Sequence, residues 1–154
     1  MDMPTHYQGS PAEIASLDAY IKLCRATESV TSRVHETLPA DLTVTQFAVL
    51  ETLFHLGPLC QGSLASKLLK STANLTLVIS NLEKAGLIKR VRQPDDLRFI
   101  TVSLTPRGRG LIAKLFPKVA ARIAAEFAVL TADEKSELCR LAKKLGLQPS
   151  GSTG

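Results

Sequence analysis

Apolar residues recur along most of this chain at three- and four-residue intervals, and change to every second residue over one short stretch. Between residues 11 and 38, Ile14, Leu17, Ile21 and Cys24, then Val30, Val34 and Leu38, share one side of a helix with polar residues between them. Phe47, Leu50 and Phe54 form the next stripe. Thr43 followed three residues later by Gln46 opens it as a capping box, and Gly57-Pro58 closes it. A short amphipathic stretch at 63–69 is followed almost at once by Leu75, Val78, Ile79 and Leu82, spaced i, i+3, i+4 and i+7, with Gly86 as the stop. Two short helices separated only by Lys70 and Ser71 describe a helix-turn-helix.

After Gly86 the period becomes two. Ile100, Val102 and Leu104 alternate with Phe99, Thr101 and Ser103, and Val91 interrupts the basic run Lys89–Arg92. These are two strands with the turn-forming "QPDD" between them, and a hairpin placed directly after a helix-turn-helix is a wing. Thr105-Pro106 then provides an N-cap and a first-turn proline for a long helix to about Val129, with Pro117 inside it as a kink-forming residue. "TADE" at 131–134 is a second capping box and starts a last helix carrying Leu138, Leu141 and Leu145. The expected fold is mainly α with a small β-hairpin wing: one domain over 11–147, a flexible N-terminus at 1–10 and a disordered tail at 148–154.

Composition narrows the class. At 154 residues with 45% apolar and 21% charged, the chain is sized and composed as a single globular domain. No apolar run approaches the roughly 18–20 residues that span a bilayer, and "MDMPTHYQGSPAE" lacks the basic start and apolar centre of a signal peptide. A cytoplasmic, bacterial protein is the expectation, with Cys24, Cys60 and Cys139 as free thiols. The formal net charge of +5 is concentrated. Residues 59–108 hold eight lysines and arginines against three acids, a surplus equal to that of the whole chain. Charge gathered into one segment points to a polyanion, nucleic acid above all. An enzyme is disfavoured. His6, His35 and His55 lie apart, no Cys/His pair has metal-ligand spacing, and GxSxG and glycine-rich phosphate loops are missing, so neither metal nor cofactor is expected.

The order of elements resembles the MarR (multiple-antibiotic-resistance regulator) family of winged-helix repressors. The resemblance is carried by "SLASKLLKSTANLTLVISNLEKAGLIKR", by "LTVTQFAVLETL" before it, and by the wing "DDLRFITVSLTPRG". It covers about residues 15–146, and its most specific part is D-x-R followed by a β-branched strand and L-T-x-x-G, met by Asp96, Arg98, Leu104, Thr105 and Gly108. Members more often carry a second arginine inside D-x-R, where this chain has Leu97. The family implies a winged helix-turn-helix at about 42–105, flanked by N- and C-terminal dimerisation helices at about 11–38 and 106–147. It further implies a two-fold dimer that sets its recognition helices roughly 34 Å apart on a near-palindromic double-stranded site. Ile112, Phe116, Val119, Ile123 and Leu130 have the spacing of such a dimer face.

With Leu75, Val78, Ile79 and Leu82 turned inward, the opposite face of the recognition helix carries Ala73, Leu77, Ser80 and Lys84. Asn74, Thr76 and Asn81 flank it. Bases are read mainly by the N-terminal half, here Ser71, Thr72, Ala73, Asn74, Thr76 and Leu77. Asparagine pairs with adenine, while Ala, Leu and the Thr methyl suit thymine methyls, so an A·T-rich site is expected. Leu77 either contacts DNA, packs on another helix, or is a lone exposed leucine. In the family the arginine of D-x-R enters the minor groove, which places Arg98 there, with Arg90 from the basic run among the candidate contacts. Asp96 is read as a brace for Arg98, the alternative being that Asp95 and Asp96 only form the turn. Family members are released by small aromatic anions bound between the dimer helices and the winged helix, or by oxidation of a first-helix cysteine. Cys24, four residues after Tyr20, resembles the peroxide-sensing OhrR branch, against which stands a buried, inert thiol on the apolar stripe. A winged helix used only for protein binding is the remaining alternative.

Overall fold

The computed structural model describes residues 6–68 and 70–148. The disordered tail expected at 148–154 lies, apart from Gln148, outside the described residues. The elements follow in the order α1 (Pro11–His35), α2 (Val44–Leu56), β1 (Leu59–Cys60), α3 (Gln61–Lys67), α4 (Thr72–Lys84), β2 (Ile88–Arg92), β3 (Ile100–Leu104), α5 (Pro106–Phe127) and α6 (Ala132–Gly146).

Capping sets most of these boundaries. Ser10, Thr43 and Thr131 each accept a hydrogen bond from the backbone N–H three residues on, and Glu13, Gln46 and Glu134 accept one in return from the cap residue's N–H, so three helix starts satisfy their first donors reciprocally. Gly57 (φ 79°) and Gly86 (φ 75°) take the left-handed conformations that end α2 and α4. α1 stops at His35 rather than continuing to Leu38, with the Thr37 hydroxyl donating to the Val34 carbonyl at 2.7 Å. α5 runs through Pro117 without ending there.

The core joins α2, α4 and α5 to the sheet. Val49, Leu50, Leu53, Leu64, Leu75, Ile79, Leu82, Ile88, Val102 and Ile112 are fully or almost fully buried, and each such side chain contributes roughly 1.5–3 kcal/mol relative to exposure. The buried residues of α2 are Val49, Leu50, Thr52 and Leu53. Phe47 and Phe54, expected on its stripe with Leu50, are only partly buried and pack against this core.

The sheet has three antiparallel strands in the order β1-β3-β2, not two. The added β1 pairs Leu59 with Val102 and Cys60 with Thr101. Two residues cannot display an alternation, which is why the pattern did not reveal it. Cys60, one of the three thiols expected to be free, caps α3. Its sulfur accepts from the Ser63 N–H at 3.4 Å and lies 3.1 Å from the Ser63 hydroxyl, bonds that hold the thiol below its usual ionisation range.

α5 differs from the expected continuous dimer face. Ile112, Leu115 and Val119 are buried inside the chain's own core, and the exposed apolar residues of this region begin at Ile123 and continue to Val129. The C-terminal part of α5 is tied to α1 by Glu126, which accepts from Arg33 Nε at 2.6 Å and from Arg122 Nε at 3.0 Å. Arg33 is the first cause of that carboxyl's lowered pKa. α6 has no buried residue, and Leu138, Leu141 and Leu145 line an exposed face of it. Cys139 is exposed there as well.

Candidate nucleic-acid interface

α3 and α4 form the helix-turn-helix. α3 anchors itself through the buried Leu64 and Ala65, and the Lys70 N–H closes the turn on the Ala65 carbonyl at 3.1 Å. Ser71 caps α4, accepting from the Asn74 N–H at 3.3 Å. Leu75, Ile79 and Leu82 bury the inner face completely, and Val78 does so in part. The outer face then carries Ala73, Asn74, Leu77 and Lys84 as exposed side chains, with Ser80 half-buried at its margin. Leu77 is 66% exposed, so of the readings open to it, packing within this chain is excluded. Thr72 opens the helix, and its side chain lies outside the described set.

Thr76 belongs partly to the scaffold. Its hydroxyl accepts a 2.8 Å hydrogen bond from Gln61 Nε2, joining the start of α3 to the recognition helix. Gln61 did not stand out in the sequence, because this bond spans fifteen residues and depends on how the two helices cross.

The wing is held at both ends. At its base, Glu83 of α4 takes the Arg90 backbone N–H at 3.0 Å and the guanidinium through Nε (3.2 Å) and Nη2 (2.9 Å). The Arg90 guanidinium is the main reason the Glu83 carboxyl lies below its ordinary range. Arg90 is thus engaged in clamping β2 to the recognition helix, and its charge is matched locally. Glu83 is the second residue that sequence reading missed.

At the tip, the Phe99 N–H donates to the Asp96 carbonyl at 3.1 Å, closing a four-residue turn whose central residues are Leu97 and Arg98. The Asp96 carboxylate accepts from the Arg98 backbone N–H (3.1 Å), from Nε (3.0 Å) and from Nη2 (2.8 Å). This is a fork-to-fork pair superimposed on an Asx turn. The pair lowers the Asp96 pKa and raises that of Arg98, hydrogen bonding being the first cause in both. The Arg98 side chain is nonetheless 87% exposed. The brace and the turn-forming role are therefore one arrangement, with the guanidinium aimed outward by the carboxylate behind it.

The start of α5 fixes the wing to the helix-turn-helix. The Thr105 hydroxyl donates to the Gly86 carbonyl at 2.6 Å while accepting from the Gly108 N–H at 3.1 Å. A side chain at Gly108 would place its first carbon 1.9 Å from the Leu87 carbonyl oxygen, so only glycine permits this approach. Among the described residues no group of three His, Cys, Asp or Glu is arranged to hold a metal, and no helix is long and apolar enough to cross a membrane.

Cys24 is exposed in the chain, not buried on the α1 stripe, because only the C-terminal third of α1, at Val30 and Val34, reaches the core. Hydrogen bonding with its thiol raises the pKa of the Tyr20 phenol one turn earlier.

Comparison with known proteins agrees with this architecture. The model of the MarR family matches residues 42–100, from just before the cap of α2 to the first residue of β3. An uncharacterised HTH-type transcriptional regulator, YkoM of Bacillus subtilis (strain 168), is 35% identical over 133 residues, 86% of each chain. BpsR of Bordetella bronchiseptica, in a structure concerned with regulation of its DNA binding by 6-hydroxynicotinic acid, is 28% identical with a TM-score of 0.75, covering 83% of this chain and 98% of that one. A mutant MarR from E. coli complexed with operator DNA is 26% identical with a TM-score of 0.75, covering 90% and 99%. A relative this similar over this length, on a helix-turn-helix with an outward arginine at its wing tip, leaves one conclusion: the chain belongs to the MarR family of DNA-binding transcriptional regulators and is not an enzyme.

Proposed function

We propose that the protein is a homodimeric repressor that holds a near-palindromic, A·T-rich operator and releases it on binding a small aromatic anion. The observation that carries the DNA half of this reading is the Asp96–Arg98 fork, an exposed guanidinium fixed in direction at the tip of the wing that follows the helix-turn-helix. Arg98 enters the minor groove and reads its width. Asn74, Ala73 and Leu77 face bases in the major groove. Ser71 and the N-terminus of α4 meet a phosphate, while Ser80 and Lys84 lie toward the backbone further along. Thr76 and Arg90 act by holding α4 and β2 in place.

Dimerisation is supported by the apolar residues one chain leaves uncovered: Leu23 on α1, Ile123 on α5, and Leu138, Leu141 and Leu145 on α6. The effector half rests on a cleft of about 460 Å³ between the α1–α2 connection, the end of α4 and the start of α5. Leu42, Leu82, Leu87 and Leu111 give it apolar walls, and Arg107 and Lys114 outnumber Asp41, the one acid in the lining, a balance suited to a flat anion. A ligand there touches both the recognition helix and α5, so it biases their angle. A gel-shift titration on genomic fragments, repeated with hydroxybenzoates and 6-hydroxynicotinate, tests both halves. Retention of no fragment removes the DNA reading, and retention unaffected by any aromatic anion removes the effector reading.

A second reading is favoured by the exposure of Cys24 beside Tyr20: release by peroxide through oxidation of that thiol. DNA binding by the wild type that is indifferent to peroxide excludes it.

A further inference from the structure

The wing tip presents two side chains, not one. Leu97 and Arg98 are the central residues of the turn closed by Asp96 and Phe99. Arg98 is fixed by Asp96, and the backbone at Leu97 is fixed as well, since its carbonyl accepts from Arg92 Nη1 at 3.0 Å. Leu97 is 62% exposed and stands open at the apex. Val91 and Phe99 are exposed on the same hairpin. A loop that met only phosphates would gain from a cation at this apex, and a loop that met only water would gain from a polar residue. The apolar side chain stands instead beside the guanidinium on a turn with little freedom left to lose.

We propose that Leu97 is an apolar wedge that accompanies Arg98 into the minor groove, pressing against the sugar walls and partly unstacking one base step. The occupant is duplex DNA because the hairpin that carries the apex has a cationic surplus, Lys89, Arg90, Arg92 and Arg98 against Asp95 and Asp96, which matches a polyanion and not an apolar protein surface. A minor-groove wedge is favoured at a step that opens easily, a pyrimidine–purine step such as TA or CA. Leu97 thereby confers a sequence preference outside the bases read by α4, at a position where no hydrogen bond reads a base. The inference rests on the minor-groove placement of the wing proposed above.

The test uses the full-length protein and a duplex of about 30 base pairs, long enough for two half-sites and both wings. Its sequence is the one that the wild type enriches from a randomised duplex library. Affinity is measured across a salt series for wild type, Leu97→Ala, Leu97→Arg and Arg98→Ala, with 2-aminopurine placed at the wing-facing steps to report unstacking. The wild type is expected to enrich a pyrimidine–purine step there, to brighten the 2-aminopurine on binding, and to bind roughly tenfold more weakly when a stiff step replaces it. Leu97→Ala is expected to abolish both the brightening and the preference with an unchanged salt slope. Leu97→Arg is expected to abolish the preference but steepen the slope by about 0.9 for each additional phosphate it neutralises. If Leu97→Ala retains the wild-type preference and brightening, or the wild type enriches a site yet shows neither at its wing-facing steps, the wedge is wrong. If Arg98→Ala also leaves affinity and salt slope untouched, or the wild type enriches no sequence, the minor-groove reading beneath it has failed instead.

Discussion

Asp96 shows why an acid belongs in the most basic segment of this chain. A mobile arginine must be ordered when it binds DNA, and that ordering opposes binding. The carboxylate does the ordering in advance through two side-chain hydrogen bonds and one backbone hydrogen bond, and leaves the guanidinium exposed. Arg98→Ala is expected to weaken binding to all duplexes and flatten the salt slope by about 0.9 for each phosphate left without its cation. Asp96→Ala should reproduce part of the fall in affinity. If it tightens binding to every sequence, the aspartate only diluted charge. The pH dependence follows from the sign of the shift. Asp96 is depressed below its ordinary 3.8, so the brace is intact above that value and is lost only as pH falls through the lower folded-state pKa. Wing-dependent affinity should therefore be flat through the neutral range, as a fluorescence titration at fixed salt can check. The brace was legible in the sequence because its partners are two residues apart and turn chemistry links them. Asn74→Ala, by contrast, is expected to cost roughly 1–3 kcal/mol mainly at the cognate site, with the salt slope nearly unchanged.

Among elements, what the sequence concealed was how they are tied together. Capping boxes, glycine stops and the change of period from 3.6 to 2 are local signals, and they placed most of the helices to within a few residues at each end. The Gln61–Thr76 and Glu83–Arg90 pairings are not local, since each needs the crossing of two elements before its partners meet. Glu83→Ala frees Arg90 and releases β2 from α4. It is expected to lower affinity for the cognate site while raising non-specific affinity and the salt slope, because a cation is unmasked as the wing loosens. Unchanged discrimination between cognate and scrambled duplexes counts against the clamp. Gly108 is a similar case. The L-T-x-x-G pattern was visible, but its cause is the Leu87 carbonyl in the space a side chain would fill. Gly108→Ala forces the start of α5 away from the end of α4 and should cost roughly 1–3 kcal/mol or more, read as a lower urea midpoint at an unchanged slope. A wild-type midpoint means that the two elements can separate without penalty.

At the scale of the whole molecule, the chain is divided between a part that satisfies itself and a part that does not. The buried apolar residues from Val34 to Val119 form one core, with Val30 packed against it, which is why much of the α5 stripe expected to face a partner is internal. The sequence could not make that division, since an apolar stripe facing its own chain and one facing a second copy have the same period. Beyond Val119 the situation reverses. α6 spans fifteen residues without a buried side chain, and an isolated helix of that length is marginal in water. Its capping box and the Arg140–Glu137 ion pair stabilise it locally, but exposed pairs of this kind contribute little. α6 is therefore expected to require an apolar partner, and the uncovered residues of α1 and α5 on a second copy are the surface proposed to supply one. Leu141→Glu places a charge in the middle of the exposed α6 stripe. It is expected to yield a monomer by sedimentation, to reduce helical circular dichroism as α6 frays, and to leave the winged helix folded. Because two linked half-sites are then engaged singly, operator affinity should fall by roughly 10²–10⁴-fold while binding to a single half-site changes little. A wild-type protein that sediments as a monomer with its α6 amides protected from exchange would show that this helix stands without a partner, and the dimer would have to be abandoned.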